Sequence, residues 1–253
     1  ADQVDEARIL TYRKLARHPR VKAIGEIGLD YHYEDVPRDV QQHAMRLQLA
    51  LAEELELPVV IHEREAHGDA LSIIDEYPSV KGVFHCFSGS PELAQELVRR
   101  GWYIGFTGVV TFKNARKAVE TAKAIPLSRI LIETDCPYMA PEPYRGRRND
   151  PSYVPLVAQK IAELRGLPAA SVAQATGSPW YSLWNTRAIF LIRRAGRRNR
   201  NRSRCGGDAT VLDAEAVQRR AVDADRAVPE QQLPVQQEAG THEERRREAQ
   251  LCS

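Results

Sequence analysis

Four short apolar runs in this chain each close on a residue type that binds metal ions. They are Ala23-Ile24-Gly25-Glu26, Pro58-Val59-Val60-Ile61-His62, Gly82-Val83-Phe84-His85 and Ile130-Leu131-Ile132-Glu133-Thr134-Asp135. A run of β-branched and aliphatic residues reads as a strand buried on both faces. A ligand at the C-terminal end of such a strand stands where a (β/α) barrel keeps its active site. Four runs in order predict one metal site built from Glu26, His62, His85 and Asp135.

Helical patterns separate the runs. Val4 to Ala16 predicts a helix with Ala7, Leu10 and Leu15 among its apolar positions, followed by a strand from Val21 to Leu29. Pro37 to Leu55 predicts a long helix, with Val40, Ala44, Leu47 and Leu51 as its stripe. A strand from Val59 to His62, a helix from Ala66 to Tyr77 and a strand from Val80 to His85 come next. Ser90 caps a helix with Pro91 at its first position and an inner stripe of Leu93, Ala94, Leu97 and Val98. Trp102 to Val110 and Arg129 to Asp135 read as strands on either side of a helix from Ala115 to Ala124. Asp150 and Pro151 open a helix whose Val154, Val157, Ala158, Ile161 and Leu164 face inward, and Leu167 to Ala175 is a short last helix.

Strand and helix alternate throughout, so the expected class is α/β with a parallel sheet and right-handed crossovers. Five strands are visible, where a closed barrel of this kind needs about eight. The rhythm is already under way at Ala1, so the first strands of a TIM-like barrel are expected to precede it.

The barrel part is expected to span residues 1–192 and a low-complexity tail residues 193–253. The tail opens with a basic run from Arg193 to Arg204 and continues rich in Gln, Glu and Arg. Such a composition buries too little apolar surface to offset chain entropy, which predicts disorder. The last lysine is Lys160, and apart from His242 every basic residue of the tail is arginine. That bias also fits GC-rich DNA read in a non-native frame; resequencing that yields one uninterrupted, family-like frame would remove this second reading.

The formal net charge of +2 says little about partners by itself. The four cysteines show no C-x-x-C pair, and no apolar run is long enough to cross a bilayer. With no secretory signal pattern, the expected compartment is the cytoplasm, without membrane association and with no obligate protein partner evident.

Several stretches together resemble the TatD family of metal-dependent deoxyribonucleases. They are Gly25-Glu26-Ile27-Gly28-Leu29-Asp30-Tyr31, Ile61-His62-Glu63-Arg64-Glu65-Ala66, Phe84-His85-Cys86-Phe87-Ser88-Gly89 and Glu133-Thr134-Asp135-Cys136-Pro137-Tyr138. Arg145-Gly146-Arg147-Arg148-Asn149 fits the loop after the last barrel strand of that family. The resemblance covers roughly residues 1–176. It implies an amidohydrolase-type TIM barrel, hydrolysis of DNA phosphodiesters, and two divalent ions per site in the complete protein (Mg, Mn or Zn). It also implies that Glu26, His62, His85 and Asp135 are metal ligands.

Two departures from the family pattern stand out. The family's first strand carries a His-x-His pair that supplies two more ligands, and this chain has no such motif. Hydrolysis is therefore expected of a version completed at its N-terminus and not of this chain alone. In addition, Ser178-Pro179-Trp180-Tyr181-Ser182-Leu183-Trp184 looks inserted into the closing helix, before family-like sequence resumes at Asn185.

The residue types suit the chemistry. A carboxylate such as Glu26 has two oxygens and can bridge two cations, while His62 and His85 suit one shared ion. Asp135 either binds the second ion or takes the proton of the attacking water. Glu133 is expected to orient a ligand or water, with an ion pair to a neighbouring strand as the alternative. Arg64, two residues after His62, is expected to contact substrate or a carboxylate, with a structural role as the favoured alternative. Arg145, Arg147 and Asn149 are expected to contact substrate, since barrels often bind phosphate near this loop and guanidinium groups grip phosphate in pairs of hydrogen bonds. Two further readings stay open: a related barrel hydrolase acting on an amide or lactone, and an inactive fragment whose basic tail binds nucleic acid.

Overall fold

The computed structural model describes residues 1–33 and 35–184. The expected tail at 193–253 and the family-like stretch from Asn185 lie outside the described residues. Contacts divide the chain into two units, built around Ala1–His85 and Cys86–Pro179.

In the first unit α1 (Glu6–Ala16), β1 (Ile24–Asp30), α2 (Arg38–Glu54), β2 (Val59–Arg64), α3 (His67–Asp75) and β3 (Gly82–Phe84) follow one another. The strands pair in parallel, β1 with β2 and β2 with β3. Ile27, Leu29, Val59 and Ile61 are buried, as a strand covered on both faces requires. Between Ile24 and Ile27 the register slips: three steps along β1 match two along β2. The extra residue bulges β1 at Gly25 and Glu26, and such a bulge re-aims the side chain it carries.

Two helical stripes differ from the expected ones. On α2 the buried positions are Gln41, Ala44, Met45, Leu49, Leu51 and Ala52, whereas Val40 and Leu47 are only half-buried. The stripe is rotated because Gln41 turns its amide inward to the backbone of Asp30, donating to the carbonyl and accepting from the N–H. On α1 only Ile9 is buried, while Leu10 and Leu15 are more than half exposed. Arg13, one turn after Ile9, forms a two-pronged ion pair with Glu54 of α2, and so the Ile9–Arg13 face is the one that packs.

In the second unit α4 (Pro91–Arg99), β4 (Tyr103–Phe106), α5 (Arg116–Ala124), β5 (Ile130–Ile132) and α6 (Val154–Arg165) repeat the alternation, and α7 (Ala169–Trp184) follows. Strands β4 and β5 pair in parallel, with Ile104 opposite Ile130. The Ser90 hydroxyl caps α4 by accepting from the N–H of Leu93. Gly166 ends α6 in the left-handed conformation, φ 63°. Arg165 donates to the carbonyls of Ala122 and Ile125 and so ties the end of α6 to the end of α5.

Strand β4 is shorter than the expected Trp102–Val110. Thr107 folds its hydroxyl back to the N–H of Val109, and the chain turns into a 3₁₀ helix at Gly108–Thr111. Strand β5 stops before Glu133 in the same way, because Thr134 and Asp135 already belong to a loop. Helix α7 runs to Trp184, so the Ser178–Trp184 stretch continues the helix instead of interrupting it. Among the described residues no helix is long and apolar enough to cross a membrane.

Gly28 sits opposite His62 in the β1–β2 register and has φ 136°. A Cβ there would lie 1.9 Å from the carbonyl oxygen of His62. Gly28→Ala is therefore expected to cost roughly 3 kcal/mol, through both clash and a backbone conformation that alanine resists. Urea unfolding at constant slope measures it, and a midpoint within error of wild type would contradict this reading of the β1–β2 contact.

Candidate metal centre

Strand β1 supplies Glu26 through its bulge, β2 supplies His62 from its half-buried face, and His85 follows the end of β3. The ladder carries on for one residue past β3, because the N–H of His85 donates to the carbonyl of Ile61. These three side chains meet. Glu26 Oε1 lies 2.8 Å from His85 Nε2 and 3.1 Å from His62 Nδ1, and the two ring nitrogens are 3.4 Å apart. Their ligand atoms all lie within 4.8 Å of one another. Among the described residues no other trio of His, Cys, Asp and Glu comes together so closely.

The electrostatics follow from burial and contact. Burial works to raise the pKa of Glu26, but hydrogen bonds from His62 and His85 and their charge outweigh it and hold the carboxyl well below its ordinary range. Burial works to lower the pKa of His62, and its bonds to Asp30 and Glu26 outweigh that and raise it above the ordinary imidazole value. The carboxylate is thus ionised across the neutral range and available as a ligand.

The donor set fits a divalent cation. Two imidazole nitrogens and a carboxylate oxygen match the mixed ligands that zinc and its neighbours take. Two ligand atoms on one tetrahedral ion, each about 2.0–2.1 Å from it, lie roughly 3.3–3.4 Å apart. The 3.4 Å between His62 Nδ1 and His85 Nε2 meets that spacing, whereas Glu26 Oε1, 2.8 and 3.1 Å from the two nitrogens, stands at hydrogen-bond distance and would move outward to ligate the same ion.

Residues 1–185 match the family described as TatD related DNase. The chain belongs to this family. It is 46% identical over 195 residues to the "Uncharacterized metal-dependent hydrolase YabD" of Bacillus subtilis, covering 76% of this chain and 74% of that one. It is 41% identical over 169 residues to the "3'-5' ssDNA/RNA exonuclease TatD" of Citrobacter rodentium, covering 64% of each. A crystal structure of YJJV, a TatD homolog from Escherichia coli K12, superposes with a TM-score of 0.68 at 33% identity, over 72% of this chain and 71% of that one. The chain is thus a TatD-type metal-dependent hydrolase with the parallel α/β architecture of that family's barrels.

The remaining expected TatD residues fall as follows. Arg64 stands on the half-buried face of β2, in register with Asp30, and its guanidinium lies 5.4 Å from the centre of the Tyr33 ring. In the second unit, Glu133 Oε1 accepts the N–H of Cys86 at 2.7 Å and so fixes the residue that follows His85 in the chain. Asp135 has φ 50° and is half-buried in the loop after β5. Arg145 lays its guanidinium 4.1 Å from the Phe112 ring centre, and Arg147 is exposed.

Asn149 is buried. Its amide donates to the carbonyls of Thr134 at 2.8 Å and Tyr138 at 2.6 Å, while its own oxygen accepts the N–H of Asp150. It therefore ties together the loop that carries Asp135. Two side chains that the sequence reading passed over also shape the site. Asp30 touches the far nitrogen of His62, and Gln41 grips the backbone of Asp30. The spacing held a signal for Asp30, which lies four residues after Glu26 on the same strand and so shares its face.

The buried amide of Asn149 gives a direct test of its part in the loop. Asn149→Asp keeps the shape but removes both donations, to the carbonyls of Thr134 and Tyr138. A loss of roughly 2–3 kcal/mol in urea unfolding is expected. An unchanged midpoint would mean that the amide is not engaged in the fold.

Proposed function

We propose that the site these residues build serves hydrolysis of phosphodiester bonds of DNA, with activity expected when a His-x-His pair joins it. The observation that carries this reading is the meeting of Glu26, His62 and His85 on one point, within a chain of the TatD family. A bound divalent cation supplies positive charge against the phosphate and lowers the pKa of a water near it. Glu26, His62 Nδ1 and His85 Nε2 would hold that cation. Asp135 is assigned as the remaining ligand or as the group that accepts the proton of the attacking water. Glu133 steadies the backbone after His85, which supports a role in orienting the site. Arg145 and Arg147 leave the same loop as Asp135 and are assigned to the phosphate groups flanking the cleaved bond. The stacked position of Arg145 over Phe112 restrains the guanidinium and lowers the entropy lost on gripping an anion.

The name of the Citrobacter relative supports a single strand as the preferred form of substrate. Cys86 and Cys136 stand as thiols, which fits a reducing compartment such as the cytoplasm.

The assay is release of nucleotides from single-stranded DNA in Mg²⁺ or Mn²⁺, with a lactone and an amide as alternative substrates. It compares this chain with one extended by a family first strand bearing His-x-His. The expected result is hydrolysis of DNA by the extended chain, lost in Glu26→Gln and His85→Ala by at least about a hundredfold. Turnover of the lactone or amide with DNA left intact would overturn the assignment.

A further inference from the structure

His62 stands between two carboxylates of the neighbouring strand. Glu26 and Asp30 flank Gly28, the register partner of His62, and both lie on the half-buried face of β1. Glu26 Oε1 is 3.1 Å from Nδ1 of His62, and Asp30 Oδ2 is 3.3 Å from Nε2. A half-turn of the ring would set carbon atoms against both carboxylates, so the contacts select one ring orientation. We propose that Asp30 is a positioning residue, which accepts the Nε2–H of His62 as a hydrogen bond, so that Nδ1 is the nitrogen that gives up its proton and turns its lone pair to a cation at the Glu26–His85 point. This rests on the reading of Glu26, His62 and His85 as metal ligands and adds how one of them is oriented.

Asp30 is itself held from three sides. Its Oδ1 accepts the N–H of His32 at 3.1 Å. Its own N–H donates to Gln41 Oε1 at 2.8 Å, and its carbonyl accepts from Gln41 Nε2 at 3.0 Å. Gln41 also donates to the carbonyl of Val36 at 2.9 Å. A glutamine in the apolar stripe of a helix is costly unless its amide is satisfied. Here it is satisfied by backbone groups of Asp30 and Val36. The packed helix α2 thus fixes the strand residue, and the strand residue fixes the imidazole. Burial works against an ionised Asp30, and the bond to His62 with the charges of His62 and Arg64 outweighs it.

Metal-bound histidines depend on such a partner, because the far N–H sets the tautomer and the ring angle. Glu26 and Asp30 therefore differ in role despite their equal spacing from Gly28. Glu26 faces the nitrogen that His85 also faces, whereas Asp30 faces the nitrogen turned away from it.

The test is calorimetric titration of the full chain with Zn²⁺, together with long-range ¹H–¹⁵N NMR of the imidazole nitrogens. Wild type is compared with Asp30→Asn and Asp30→Ala. Asn keeps the size of Asp and leaves the backbone bonds to Gln41 intact, so it guards against a folding defect. The expected result is a zinc-loaded wild type with His62 protonated at Nε2. Zn²⁺ affinity should fall about 10- to 100-fold in both variants, and in metal-free chains at alkaline pH, where the imidazole is neutral, the Nε2-protonated tautomer of His62 should be depleted relative to wild type. Folded variants that bind Zn²⁺ as wild type does and keep that tautomer would overturn the positioning role alone. A wild-type chain that takes up no Zn²⁺ would overturn the ligand site and this inference together.

Discussion

Two imidazole nitrogens held 3.4 Å apart against one carboxylate oxygen form an arrangement that water alone does not favour. Glu26 and His62 both lose solvent, and each loss is unfavourable for a charged group. The cluster persists because the charges compensate: the carboxylate stays ionised beside the imidazoles, and the imidazoles gain from the carboxylate. The same convergence of donors makes the cluster a ligand set. In the metal-free chain, protons do the bridging; a cation would replace them, since an imidazole ligates through an unprotonated nitrogen.

The backbone of β1 and β2 brings the cluster about. The slip between Ile24 and Ile27 turns Glu26 toward His62, and the absent side chain of Gly28 lets β1 lie against the carbonyl of His62. With no Cβ at that position, the two carboxylates on either side reach opposite edges of one ring. In the second unit, Asn149 and Glu133 serve comparable ends by different means. Asn149 gathers the loop after β5, and Glu133 anchors the N–H of Cys86. In each case a polar side chain bonded to backbone holds a loop where apolar packing alone would not specify its path.

The strands were legible because burial on both faces selects continuous aliphatic runs, and the first polar residues of three of these runs, Glu26, His62 and His85, are the ones that come together. Ser90 and Pro91 marked the start of α4 through equally local chemistry. Less was legible where a long-range hydrogen bond overrides periodicity. Gln41 occupies an inner position of α2 because its partner is the backbone of Asp30, and hydrophobicity carries no trace of that bond. The expected stripe through Val40 and Leu47 misplaced the helix face for this reason. The shorter β4 and β5 reflect the hydroxyl bond of Thr107 and the loop that begins at Thr134, features that strand propensity does not register. Asp30 was within reach of strand periodicity, which placed it on the face of Glu26, but its contact with the far nitrogen of His62 depends on register.

Whether Glu26, His62 and His85 share one cation is measured most directly by anomalous diffraction from crystals of the chain soaked in Mn²⁺. The expected result is a peak at coordination distance, about 2.0–2.3 Å, from His62 Nδ1, His85 Nε2 and a carboxylate oxygen of Glu26. A peak bound elsewhere on the chain, with these three side chains still hydrogen-bonded to one another, would contradict it.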